Sequence, residues 1–595
     1  MSKKYIDIMD TTFRDGFQSV FGGRVLMNDF FPAVEAAVDA GITHFEFGGG
    51  ARFQSLFFYL QENAFDMMDK FRSIVGPDAN LQTLARGINT VMLDTGSRDL
   101  VNLHAKMFAK HGVTTIRNFD ALNDVQNLEY SAACIKQHGL KHEVVVTMMD
   151  LPPRCEGAHD VAFYEKTLRN ILNSGLAFDS VAFKDASGTS SPQKVYDTIK
   201  MARNLLGDSV HIRLHTHETA GVSVACYLAA LEAGADGIDL AAAPVSGGTS
   251  QPDILTMLHA VKGKNFDLGG LEIDKILKYE EVLGDCLKDY FMPPEATQVL
   301  PLIPFSPMPG GALTANTQMM RDNGTLGKFG EVIKAMQEVV ERGGYGTSVT
   351  PVSQFYWQQA YANVMFGPWE QIAPGYGKMV LGYFGKTPVA PDPAIVDLAS
   401  RKLKLEPTTQ NPLDIADKDE KKSIAYWTKR LEEESIETTE ENIFIAAACD
   451  EKGITFLKGN GPLNVRKISD EQTQTKGKGM SSTTGNYTVV VNGIKYSVQI
   501  AEGDGAGIEI KKVEAAPVAA AAGANEEQIS AVVNGSVWKI LVKEGDKVNS
   551  GQTVVILEAM KMEIEIKSPK DGVVTKIVAT QGSAVEEGEA LLFID

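Results

Sequence analysis

Eight short runs rich in β-branched and aromatic residues recur through the first 241 residues, and they restrict the fold more than any other feature. They are YIDIMD (5–10), THFEFG (43–48), LQTLA (81–85), TTIRNF (114–119), EVVVTMM (143–149), SVAFKD (180–185), HIRLHTH (211–217) and DGIDLA (236–241). Each is followed by enough chain for a helix before the next run begins. Alternating units of this kind form parallel strands joined by right-handed crossovers. Eight of them predict an α/β fold of the (β/α)8 barrel type, with an open doubly wound sheet as the fallback. In a barrel, functional side chains sit where strands end and βα loops begin.

The chain has 595 residues, enough for several domains at roughly 100 to 200 residues each. The barrel is expected over 1–274. From 275 to 466 charged and apolar residues interleave with helical spacing (KILKYEEVLGDCLKDYF, KFGEVIKAMQEVVERGG, KSIAYWTKRLEEE), which predicts a helical extension. A flexible segment with a small β hairpin is expected over 467–513, where Asn492-Gly493 lies between two alternating runs. An Ala/Pro-rich linker, EAAPVAAAAGANEEQ, occupies 514–528, and its composition suits a tether.

Residues 529–595 contain an internal repeat. NGSVWKILVKEGDKVNSGQTVVILE (534–558) superposes on DGVVTKIVATQGSAVEEGEALLFID (571–595) at a constant offset of 37, which predicts a small all-β module of two similar halves, a flattened barrel. Glu558-Ala559-Met560-Lys561-Met562 connects the halves. A lysine at a turn is ordinarily a solvated surface charge. The repeat, the tether and the flanking methionines together resemble the biotinyl carrier domains of biotin-dependent carboxylases, which implies covalent biotin on Lys561. A lipoyl domain has a similar repeat and is the weaker alternative.

Composition excludes other classes. The formal charge is −19 with no long basic run, which argues against nucleic acid and anionic membrane surfaces as partners. The five cysteines (Cys134, Cys155, Cys226, Cys286, Cys449) show no paired spacing, which points to a reducing compartment. Residues 5–10 start the first strand with no apolar leader, and no run of about eighteen apolar residues occurs, so a cytoplasmic location is expected.

Two strand ends carry chemistry-bearing residues. The first run leads into Asp10-Thr11-Thr12-Phe13-Arg14-Asp15-Gly16-Phe17-Gln18-Ser19, and the seventh ends in His215-Thr216-His217. Residues two apart on a strand face the same side, so both imidazoles can address one ion; hydrogen-bonded core histidines are the plainer reading. Phe183-Lys184-Asp185 ends the sixth run, where a lysine in a barrel mouth needs a partner, Asp185 or another carboxylate.

With these segments and LARGIN (84–89), NFDALND (118–124), LHTHETAG (214–221), SGGTSQP (246–252), MPGGAL (308–313) and VTPVSQ (349–354), the first 460 residues or so resemble the carboxyltransferase domain of pyruvate carboxylase. They equally resemble the related α subunit of sodium-pumping oxaloacetate decarboxylase. The resemblance implies a divalent metal (Zn, Mn or Co) bound by Asp15, His215, His217 and a carbamylated Lys184. It also implies that Arg14, Gln18 and Arg86 hold a 2-oxo acid, and that Thr350 relays a proton between pyruvate and biotin. Carboxyl transfer from carboxybiotin to pyruvate would then give oxaloacetate.

No G-x-x-x-x-G-K-[ST] loop or ATP-grasp region occurs. The implied partners are therefore a separate ATP-dependent biotin carboxylase subunit and biotin protein ligase, with a homo-oligomer expected from the family. Four alternatives remain at this level: the decarboxylase with its membrane subunits, carboxylation of another 2-oxo acid such as 2-oxoglutarate, a metal-dependent acyl-transferring lyase or synthase, and a non-enzymatic carrier or scaffold. The family pattern R-D-A-H-Q-S reads R-D-G-F-Q-S here, and Trp-Gly-Gly-Ala reads Gly48-Gly49-Gly50-Ala51, which bears on pocket shape.

Overall fold

A computed structural model describes residues 3–468, 485–491, 494–500, 527–533, 535–559, 562–585 and 588–595. They fall into two compact units, 1–288 with 292–465 and 289–291 with 466–595.

All eight expected strands form: β1 (Lys4–Asp10), β2 (His44–Glu46), β3 (Asn80–Ala85), β4 (Thr115–Asn118), β5 (Lys141–Thr147), β6 (Ser180–Asp185), β7 (His211–Thr216) and β8 (Gly237–Leu240). They are parallel neighbours in chain order, and pairing of Asp10 with Phe45 joins β1 to β2 and closes the barrel. The open-sheet fallback is thereby excluded. β2 is shorter than its sequence run because Gly48, at φ +74°, turns the chain out of the ladder. A short ninth strand, β9 (Phe266–Leu268), adds to the outside of β1 at Lys4–Ile6, an element the sequence pattern did not announce.

The barrel interior is charged. Arg117 of β4 and Glu143 of β5 are register partners, and Arg213 of β7 and Asp239 of β8 join them, all four buried. Arg117 reaches Glu143 and Asp239 at 2.5 Å each, and Arg213 reaches Asp239 at 3.1 Å. Two guanidinium groups against two carboxylates leave the layer neutral, which is what makes its burial tolerable. The outward faces of the strands are apolar (Ile6, Ile8, Val144, Val146, Val181, Ile212) and are buried.

The helical extension forms as expected, with helices Ile273–Leu287, Gly310–Asp322, Phe329–Arg342, Val352–Phe366 and Ile424–Glu433. A last helix, Glu440–Leu457, packs on the barrel helix Gly50–Tyr59, with ring centroids of Phe444 and Phe53 5.7 Å apart and of Phe456 and Phe57 4.9 Å apart. Apolar aromatic burial of this kind is the main stabilising term at such a seam.

In the second unit, the strands Gly485–Val491 and Ile494–Ile500 pair antiparallel, as the hairpin reading required; Asn492 and Gly493 lie outside the described residues. The last segment forms two four-stranded sheets. Each pairing in one half recurs in the other at the sequence offset of 37. Gly535 pairs with Val585 as Gly572 pairs with Val548, and Glu527 pairs with Ile594 as Ile564 pairs with Leu557. Val537, Leu557, Ile564, Val574, Leu592 and Ile594 are buried in its core. The strands that flank Lys561 pair down to Ala559 and Met562, while Lys561 itself lies outside the described residues.

Candidate functional site

The residues singled out at the strand ends converge at the barrel mouth. Asp15 follows β1 in a buried turn, Thr12–Gly16. Lys184 on β6 and His215 on β7 are register partners, so their side chains share a face, and Nζ lies 2.6 Å from Nε2. His217 follows β7. Nε2 of His215 and Nε2 of His217 are 3.1 Å apart, and each is 3.3 Å from Oδ2 of Asp15. Asp15, His215 and His217 are all buried, with one ligand atom from each within 4.8 Å of the others.

Both imidazoles are oriented from behind. His215 presents Nδ1 to Asp239 Oδ2 at 2.8 Å, and His217 presents Nδ1 to the Thr249 carbonyl at 2.7 Å. Donation outward through Nδ1 leaves each Nε2 lone pair facing the shared point. Two imidazole nitrogens and a carboxylate in a dry setting fit a divalent transition ion. Burial, followed by the charge of Lys184, lowers the pKa of His215, so the ring stays neutral as a ligand must. Burial pushes Asp15 upward, but Arg14 and His217 more than offset this and hold it well below the usual carboxylate range.

Lys184 does not pair with Asp185. The Asp185 carboxylate is occupied by Ser187 Oγ at 2.8 Å and by the backbone N–H groups of Gly188 and Ser190 at 2.9 and 2.6 Å. Burial lowers Lys184 to about 8, which brings a free, nucleophilic amine within reach near neutral pH.

A narrow cleft opens in front of this cluster, and Arg14, Asp15, Gln18, Arg86, Lys184, His217 and Thr350 line it. Every candidate residue of the barrel except His215, which stands behind, is therefore in one pocket. Arg14 is committed to the protein: Nη1 lies 3.1 Å from Asp15 Oδ1, and Nη2 bonds Glu46. Arg86 is not. Its Nη1 donates to the carbonyls of Val91 and Met92 at 2.6 and 3.1 Å, Nε has no partner, and no carboxylate pairs with it among the described residues. Burial, with a smaller contribution from Arg14, lowers it to about 9. Gln18 accepts from Ala51 N–H at 3.1 Å.

Phe17, at the family's histidine position, faces the core instead of the cleft, 5.2 Å from Phe30 and 5.8 Å from Phe13 between ring centroids. Glu46, Arg117, Asp239, Thr249 and Gln251 were not foreseen as site residues. For Thr249 and Gln251 the signal was present in the SGGTSQP segment; for Asp239 it was a lone acid in a strand.

Three family models match successive parts of the chain: HMGL-like at 105–282, a conserved carboxylase domain at 303–500, and biotin-requiring enzyme at 527–594. A pyruvate carboxylase subunit of Methanocaldococcus jannaschii is 31% identical over 94% of this chain and 94% of its own length. The chain belongs to the biotin-dependent carboxyltransferase family. The 2-oxoglutarate carboxylase large subunit of Hydrogenobacter thermophilus is 29% identical to this carboxyltransferase, covering 95% of this chain and 91% of that protein. The carboxyl transferase domain of Rhizobium etli pyruvate carboxylase, solved with pyruvate, superposes with a TM-score of 0.70 at 22% identity, over 95% of this chain and 88% of that one, and shows the shared fold. Biotin and a divalent metal are the cofactors of this carboxyltransferase. Among the described residues no helix is long and apolar enough to cross a membrane.

Proposed function

We propose that this chain transfers a carboxyl group from biotin to pyruvate, giving oxaloacetate, as the carboxyltransferase and carrier subunit of a two-subunit pyruvate carboxylase. The observation that carries the substrate is Arg86, a buried guanidinium in the cleft whose charge no carboxylate among the described residues balances. Its planar fork suits the carboxylate of a small 2-oxo acid. The other cleft cations are taken, Arg14 by Asp15 and Glu46 and Lys184 by the imidazole cluster. One available positive site favours a monocarboxylate over 2-oxoglutarate, whose second carboxylate would need another.

In this reading Arg86 and Gln18 hold the substrate, and Arg14 fixes Asp15. Asp15, His215, His217 and Lys184 as its carbamate would hold a divalent cation, which when bound polarises the 2-oxo group as a Lewis acid. Biotin, attached to Lys561 on the 529–595 carrier domain and tethered by 514–528, supplies the activated carboxyl group. Forming the new carbon–carbon bond requires the pyruvate methyl carbon to lose one proton. Thr350 Oγ1, in the cleft wall, would take that proton and give up its own to the carrier nitrogen vacated when its bond to the carboxyl group breaks. The cationic surroundings stabilise the enolate that forms.

The reading also assigns a separate ATP-dependent biotin carboxylase as partner, modification by biotin protein ligase, assembly as a homo-oligomer and a cytoplasmic location. Avidin capture of the native chain with mass spectrometry of co-purifying proteins tests it. An ATP-grasp subunit is the expected result. A multi-spanning membrane subunit would replace this reading with a sodium-pumping oxaloacetate decarboxylase, and no capture would remove biotin on Lys561.

A further inference from the structure

Thr350 reaches the cleft on a segment of the helical extension that is fastened to the loops after β4 and β5. Thr347 N–H donates to the Ala121 carbonyl at 2.7 Å, and His159 Nε2 donates to the Tyr345 carbonyl at 2.8 Å. Val349 N–H donates to the Thr347 carbonyl at 2.7 Å, so residues 347–349 form one tight turn immediately before Thr350.

Two buried hydroxyls make the side-chain link. Oγ1 of Thr147, the last residue of β5, lies 2.8 Å from Thr347 Oγ1 and 3.2 Å from the Asp120 carbonyl. A hydroxyl has one hydrogen, and a carbonyl can only accept. Thr147 therefore gives its hydrogen to Asp120 and receives that of Thr347. Thr347 Oγ1 in turn accepts from Asn123 Nδ2 at 3.4 Å. The Asn123 amide is oriented independently, because its oxygen accepts from Thr147 N–H and its NH2 group donates to the Thr147 carbonyl, each at 3.0 Å. The hydrogen bonds thus run one way, from Asn123 to Thr347 to Thr147 to Asp120. Thr147 is also the register partner of Lys184, so the residue that holds Thr347 stands beside the imidazole cluster.

We propose that Thr347 is a positioning residue for carboxyl transfer: its hydroxyl, donated to Thr147, seats the 347–349 turn on the barrel mouth and thereby places Thr350 Oγ1 in the cleft. This rests on the reading of Thr350 as the proton relay. Thr347 is not among the residues that line the cleft, so its contribution passes through Thr350. A relay has to meet donor and acceptor together, and a misplacement of about 1 Å can lower a rate by about 100-fold. The backbone bond to Ala121 does not depend on the hydroxyl, so its removal shifts the turn without detaching it.

The test uses the full-length biotinylated chain and oxamate-stimulated decarboxylation of oxaloacetate, in which the proton returns through Thr350 to the methyl carbon. Thr347→Val keeps the side-chain shape and removes the hydroxyl. Its kcat is expected to fall by about 10- to 100-fold with KM for oxaloacetate within about twofold of the wild-type value. The solvent deuterium isotope effect on kcat should rise, because a displaced relay slows proton transfer relative to the other steps, and Thr347→Ser should restore both quantities. A merely structural role lowers the amount of competent enzyme and leaves the isotope effect where it was. Wild-type kcat in Thr347→Val, or a loss with an unchanged isotope effect, would therefore overturn the proposal. Should Thr347→Val not fold, Thr147→Val cuts the same bond from the strand side; the same signature is expected, and a wild-type isotope effect would overturn the assignment. Wild-type turnover in Thr350→Ala would instead overturn the relay reading itself.

Discussion

His215 and Asp239 are joined at 2.8 Å, Nδ1 to Oδ2, and the same carboxylate oxygen receives Arg117 Nη1 at 2.5 Å. Burial opposes the charge on Asp239, but Arg117, His215 and Arg213 outweigh it and hold the group well below the ordinary carboxylate range. The ring is thus aimed by a carboxylate that is itself clamped. Asp239→Asn should lower divalent-metal affinity by about 10- to 100-fold. Metal content after dialysis against a graded chelator series reads this directly, and a wild-type profile would remove Asp239 from the site.

Arg86 should decide substrate binding. Each charged hydrogen bond it makes to a substrate carboxylate contributes about 1.5–3 kcal/mol. Arg86→Met should therefore lower kcat/KM for pyruvate by at least about 10-fold, mainly through KM. Oxamate, a pyruvate-like anion, should raise the Tm of the wild-type chain by mass action and leave that of the variant unchanged.

Thr350 should act on transfer and nothing before it. Thr350→Ala is expected to abolish oxamate-stimulated decarboxylation of oxaloacetate while streptavidin blotting still detects full biotinylation. Thr350→Ser, which keeps the hydroxyl, should recover much of the activity. Wild-type turnover in the alanine variant would show that the proton takes another route.

Gly310 should not tolerate a side chain. A Cβ there would lie 1.7 Å from the Thr249 carbonyl oxygen, the group that accepts from His217 Nδ1. Gly310→Ala has to displace that carbonyl, so loss of metal together with a lowered Tm is expected. Gly311→Ala is milder, because its Cβ would meet the movable Gln18 Nε2 at 3.1 Å.

Asp120 predicts a pH dependence. Burial, then the neighbouring Asp124, raises its carboxyl to about 7, while an unfolded aspartate titrates near 4. Below about 4 both states carry the proton. Between about 4 and 7 only the unfolded chain releases it, so stability falls as pH rises through that window, and above it the cost is constant. Melting curves of the wild type and Asp120→Asn across this range should differ in slope, the variant being flatter.

The barrel was legible because each strand announces itself locally, and the site because it lies where strands stop. Asp15, Lys184, His215 and His217 stood out by their positions at the ends of β1, β6 and β7, and the family resemblance implied their common role. What surrounds them depends on register between strands distant in sequence. Arg117 faces Glu143 because β4 and β5 pair at those residues, and nothing within either segment states it. Gln251 reaches the cluster through a loop that folds back after β8, and Phe17, which looked like a change of pocket, belongs to the aromatic core beneath. Glu46 meets Arg14 only because β2 lies beside β1 in the closed barrel.

The two halves of the C-terminal module lend strands to each other: Lys547–Val548 of the first pairs with Gly572 and Val573, and Ala584–Val585 of the second pairs with Gly535 and Ser536. Such reciprocity is the geometry of an isologous dimer, in which one surface meets a rotated copy of itself. A single copy of the 37-residue unit would bury its apolar face only by associating with a second. Fused in one chain, that association no longer depends on concentration, and the module should melt as one cooperative step with no half-folded stage.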